Sequence, residues 1–328
     1  MKSYSPLGMT FFAVSTLTAA CTDDPGVDVE SHTIVAQLVT PQSTTRSFQA
    51  FSLNQVVVLG NDGKLWIENG PFGTVPPSRT QVDANVAGFQ ALDTANVFVL
   101  GSDAKLWLEH PNGAIPPPRT QVDANVIGFQ ALDTANVVVL GSDGKLWLEH
   151  PNGAVPPPRT QVDANVIAFQ VLDASNIFVL GSDDKLWLEH PNGAVPPPRT
   201  QVDANVGAFQ ALDTADIFVL GSDGKLWFEH PDGSVPPPRT QSDANVAAFQ
   251  ALDTGNVFIL GDDLNLWLAH PNGSVPPPRT QVDANAVGLQ ALSPTNVFVL
   301  GSDGKLWLEH PDGAVPPPRT QVDANVAL

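Results

Sequence analysis

The chain holds a single cysteine, Cys21, among 328 residues, so no intramolecular disulfide can form. Basic side chains are also scarce: 15 Lys and Arg stand against 34 Asp and Glu, a formal charge of −19. Such a field repels phosphate backbones and anionic headgroups, which argues against nucleic acid and against direct binding to a membrane surface. No run of 18 or more apolar residues occurs, so the sequence offers no mature helix to cross a bilayer. Also missing are a nucleophile elbow, a glycine-rich phosphate loop, a unique pair of carboxylates and an Asp-rich calcium loop. These absences point away from an enzyme and from a bound cofactor. What remains is an ordinary globular share of hydrophobic residues, 42%, enough for a packed core.

The first residues differ in kind from the rest. Lys2 precedes an apolar run from Leu7 to Leu17, and "TAAC" follows at 18–21. Small residues at Thr18 and Ala20 suit cleavage before Cys21, so 1–20 reads as a signal peptide. The stretch resembles a bacterial lipoprotein signal, which implies a lipid on Cys21 and an exported protein, anchored or freely secreted. Residues 21–47 read as an acidic tether, within which "TIVAQLV" (33–39) has the composition of a stray strand.

From residue 48 onward one sentence is repeated. Trp107, Trp147, Trp187, Trp227, Trp267 and Trp307 lie 40 residues apart, and Trp66 precedes Trp107 by 41. Each unit contains four strand-like runs, shown here for the third. Phe129 to Leu132 alternates, Val137 to Leu140 is continuously apolar, Lys145 to Glu149 alternates again, and 160–166 is more polar. "GSDG" joins the second run to the third as a hairpin signal. Its last glycine becomes Ala104, Asp184 and Leu264 in other units, which reads as a turn that prefers glycine without requiring it. Pro156, Pro157 and Pro158 predict a stiff polyproline segment before the fourth run. Seven units of four antiparallel strands predict an all-β, seven-bladed β-propeller over 48–328. A stacked solenoid is the rival, but it needs altered capping repeats, and the seventh unit is nearly regular. The terminal units share one departure: the Asp of "ALDT" becomes Ser52 and Ser293, as neighbours across a ring seam.

Several repeated residues are candidates for a site. The tryptophans (Trp107, Trp147, Trp187, Trp227 and equivalents) read either as platforms for a sugar ring or as wedges between blades. Arg159, Gln161 and Asp163 alternate along one side of the fourth run. With Arg119, Arg199 and Arg239 they suit a hydroxyl-rich ligand or an ion pair between blades. The histidines, His110 to His310, fall at one phase but on separate units, so they cannot converge on a metal.

The stretch "FQALDTANVFVLGSDGKLWLE" (89–109) resembles the repeats of tectonin- and tachylectin-type propellers. That resemblance spans all seven units and implies a multivalent, lectin-like binder of glycans, with sites within or between blades. The competing expectation is a scaffold or adhesion module for a surface protein, with no glycan site.

Overall fold

A computed structural model describes residues 48–327. The expected signal peptide at 1–20, the expected tether with its candidate strand at 33–39, and Cys21 lie outside the described residues. The rest is seven four-stranded antiparallel sheets, with strands following one another in chain order across each sheet. Blade three shows the pattern: Val126–Ala131, Val137–Gly141, Lys145–Glu149 and Arg159–Ala164. The sheets form a seven-bladed β-propeller.

The first strand of a blade starts earlier than its alternation suggests. Val126 already pairs with Gly141, and a bulge follows before Gly128 meets Leu140. The polar run at 160–166 is correspondingly two elements. It breaks at Asn165, whose φ of +60° turns the chain into the next blade. Asparagine tolerates this left-handed conformation better than most residues.

The hairpin between second and third strands accepts residues other than glycine, as expected, and does so at a positive φ. Gly144 adopts φ +73°, and Ala104, Asp184 and Leu264 adopt +59°, +58° and +62° at the same place. The turn keeps its positive φ in every one of these blades, and the side chains there accept the strain. The proline loop is not one straight polyproline stretch. It enters its prolines through a cis Val155–Pro156 bond, repeated in each blade.

Phenylalanines form the wedge between blades. Phe98 of blade two packs on Phe129 of blade three at 6.2 Å between centroids, and Phe178–Phe209 and Phe218–Phe249 repeat the contact. All six are buried. The continuously apolar second strand, with Val137, Val138, Val139 and Leu140 all inaccessible, is covered on both faces as its composition predicts.

A buried glutamine in each first strand ties its blade to the next. Gln130 Nε2 donates to the Val171 carbonyl at 2.9 Å, and the Val171 N–H donates back to Gln130 Oε1 at 2.8 Å. Gln49, Gln90, Gln170, Gln210 and Gln250 do the same one blade onward. Gln290 completes the circle on Ala50 of blade one, at 3.0 and 2.7 Å. A side-chain amide carries both a donor and an acceptor, so it satisfies the main-chain N–H and carbonyl of one buried residue in the next blade.

The seam has a second fastening, contributed by the C-terminus. Val326 bridges Gly60 as Val86 bridges Gly101 in blade two, and the Ala327 N–H donates to the Leu59 carbonyl at 2.9 Å. Residues 326 and 327 thus occupy the start of the first strand of blade one. Ser52 and Ser293 are indeed on neighbouring blades, and each hydroxyl accepts the turn N–H that Asp133 Oδ1 takes in blade three.

Candidate binding surfaces

The candidate side chains meet in a clamp between blades. In blade three the Arg159 guanidinium lies over the Trp147 ring, 4.1 Å from its centroid. Its Nη1 donates to Glu149 of the same blade at 3.2 Å and to Asp123 of the preceding blade at 3.3 Å. Arg119, Arg199 and Arg239 repeat the arrangement over Trp107, Trp187 and Trp227, with ion-pair distances of 3.2–3.3 Å. A cation on an aromatic face and between two carboxylates fixes the register of adjacent blades.

Asp163 does not share a side with Arg159 and Gln161. Trp147 is opposite Gln161 but Leu146 is opposite Asp163, because Val162 bulges out of the ladder. The bulge turns Asp163 across to the next blade, where its Oδ2 accepts from Arg199 at 3.2 Å. Gln161 stays beside Trp147 and donates to the Asp163 carbonyl at 3.4 Å.

The tryptophans are half-buried, neither core wedges nor open platforms. The arginine side chains keep about 30% exposure, so both residue types reach the surface at equivalent grooves, with one indole face already covered.

Glu149 is the member that sequence reasoning missed. Its side chain is inaccessible, as are those of Glu68, Glu109, Glu189, Glu229 and Glu309. Burial pushes the Glu149 carboxyl up to about 8, the Asp123 carboxylate adds to the rise, and Arg159 offsets only part of it. Protonation of this group is thereby favoured well above the usual carboxylate range. Oε1 faces the arginine, and Oε2 has no other partner among the described residues. The signal was present as an acid directly after the apolar Leu146–Trp147–Leu148 run or its equivalent, in six of the seven units. Blade six has Ala269 there, and Arg279 keeps only Asp243, at 3.0 Å.

The histidines end their third strands on one circular face, each against the first turn of its own blade. His150 Nδ1 lies 3.1 Å from Asn136 Oδ1, and His230 Nδ1 lies 2.8 Å from Asp216 Oδ1. The same face carries the proline loops, since in a four-stranded meander the first and third connections emerge together. Val75, Ile115, Val155, Val195, Val235, Val275 and Val315 in those loops are 40–51% exposed, and Leu53 in the first turn of blade one is 40% exposed. They are the large exposed hydrophobic residues of the described chain. The opposite face presents Lys–Asp hairpins.

No family model and no curated protein matches the sequence. Solved structures match by shape. The WD40 β-propeller domain of Doa1 is 13% identical, with 88% of this chain and 95% of that chain covered at a TM-score of 0.53. YCF48 from Cyanidioschyzon merolae is 12% identical over 84% and 97%, at 0.59. A structure of YCF48 bound to D1 peptide is 11% identical over 85% and 95%, at 0.55. The likeness is one of fold alone.

Proposed function

We propose that the protein is a non-enzymatic binding module that docks a protein partner on the face carrying its proline loops. The observation behind this reading is the segregation of exposed apolar side chains onto that one face, in seven copies. Each copy offers one exposed apolar side chain, and repeated weak contacts on a single face gain avidity without new chemistry. The clamp residues, by contrast, are already engaged with one another. Among the structures of similar fold, YCF48 is seen with a bound peptide. Replacing Val155, Val195 and Val235 by Asp leaves the core untouched. It is expected to abolish retention of a cross-linked partner while the melting curve is unchanged; full retention by the triple variant overturns the reading.

Lectin-like glycan binding, the function implied by the tectonin-type resemblance, is the second reading. It is favoured by the partial exposure of Trp107, Trp147, Trp187 and Trp227 beside Arg and Gln in equivalent grooves. A glycan array separates the two: binding lost in Trp147→Phe with its equivalents, and kept in the valine variants, selects the lectin. For either reading we place the propeller outside the cytoplasm, tethered through lipid on Cys21 or freely secreted. Cys21→Ala is expected to move the protein from membranes to the soluble fraction, and identical fractionation removes the anchor.

A further inference from the structure

Blade six departs from the repeat in a concentrated way. In the six other blades a lysine stands two residues after the hairpin aspartate, with Nζ 2.5–2.8 Å from its carboxylate, from Lys64–Asp62 to Lys305–Asp303. Blade six keeps the aspartate as Asp263 but has Asn265 in place of the lysine. It also carries Asp262 where five blades have serine and blade one has Asn61. Asn265 donates two neutral hydrogen bonds to Asp263, from Nδ2 to Oδ2 at 2.6 Å and from its N–H to Oδ1 at 3.1 Å, and neither cancels the carboxylate charge. Arg279 is the nearby cation, and it is held on Asp243 of the preceding blade at 3.0 Å.

Asp262, Asp263 and Arg279 also line a cavity of about 370 Å³ between blades five and six. Asp262 and Asp263 form one wall, Asn245 of blade five closes a side, and Trp267 lies across, with the Arg279 guanidinium 4.4 Å over one face of its ring. That volume falls in the range of small-ligand sites, and its lining combines an aromatic surface with a few convergent polar groups. The other blades supply the template for what fits: an ammonium on a flexible alkyl stem, seated on this aspartate.

We propose that the cavity is a binding site for a lysine side chain of a protein partner. The methylenes lie along the part of Trp267 that Arg279 leaves open, and the ammonium sits against Asp262 and Asp263, beside the Asn265 amide that fills the lysine's seat on Oδ2. Charge and geometry agree, because a partner ammonium restores the balance that Asn265 and Asp262 remove. This rests on the protein-binding reading and adds a second contact on the opposite face from the valine loops. It is tested without that face.

The test titrates the full chain with acetyl-Gly-Lys-Gly-amide and follows the Trp267 indole resonance, assigned through Trp267→Phe. A saturable shift confined to Trp267 is expected. Binding is expected to weaken by about tenfold or more in Asn265→Lys and in Asp262→Ser, both of which restore the sequence of other blades and so preserve folding. The Nε-acetyl-lysine peptide is expected to leave the resonance unmoved. Unchanged affinity in Asn265→Lys, or equal shifts at all seven tryptophans, overturns the site in favour of diffuse attraction to an acidic protein. Equal binding of n-butylamine overturns the assignment to a partner's lysine. The valine-to-aspartate variant keeps this site, so failure here and failure of the loop surface are separate results.

Discussion

Ser242 sits in blade five where the other blades have valine, and its hydroxyl is buried with no partner among the described residues. An unsatisfied buried hydroxyl costs about 1–3 kcal/mol. Ser242→Val, already accommodated as Val162 or Val202, is therefore expected to raise stability by about that amount in denaturant titration. The buried glutamates make a second residue-scale prediction, and its sign is set by the direction of their shift. Each holds its proton more tightly folded, at about 8, than at the ordinary value of 4.5. Their contribution is complete below pH 4.5, declines through the interval and is gone above pH 8. Melting temperature is thus expected to fall as pH rises from 5 to 9, and converting all six to Gln to flatten that slope.

At the scale of the strand, the glutamine of the first strand carries the most. Gln130→Leu keeps a side chain of similar length but strips the partners from the Val171 N–H and carbonyl, each worth about 1–3 kcal/mol when left bare. The variant is expected to lose several kcal/mol in denaturant titration and to speed exchange at the Val171 amide. The strand order and hairpins were legible from periodicity, because alternation and continuous apolar runs report directly which faces are covered. Gln130 and Glu149 were not singled out, since a polar residue within an alternating strand looks solvent-facing until its neighbouring blade is known. Asp163 was placed on the wrong side for a related reason. A bulge at Val162 changes the parity of every residue beyond it, and no Gly or Pro within "RTQVDAN" announces it. The Trp–Arg stack was half-visible: the pairing of types was read, but a single sequence does not say whether they serve each other or a ligand.

At the scale of the whole molecule, the seam is a repeat cut in one place. Val326, Ala327 and Leu328 followed by Phe48, Gln49 and Ala50 read in the same phase as Val86 to Ala91. Joining Leu328 directly to Phe48, with new termini opened between Asn165 and Val166, is expected to give a circular permutant with the native circular dichroism. It is expected to melt within a few degrees of the parent; failure to fold would show that the N-terminal residues contribute to closure. Removing residues 326–328 is the complementary change and leaves the edge of blade one bare.

The glutamine exchange has one more implication, which concerns identity rather than energy. Every interface uses the same side chain against the same peptide unit, so nothing in it tells a blade which neighbour is its own. A half-formed chain offers its open end equally to its own partner and to that of another copy. Fidelity of closure then rests on tethering alone: the intramolecular end wins because it is always near. Refolding at increasing protein concentration should accordingly shift material from monomer to interlinked dimers that separate only on unfolding, as size-exclusion chromatography before and after denaturation would record.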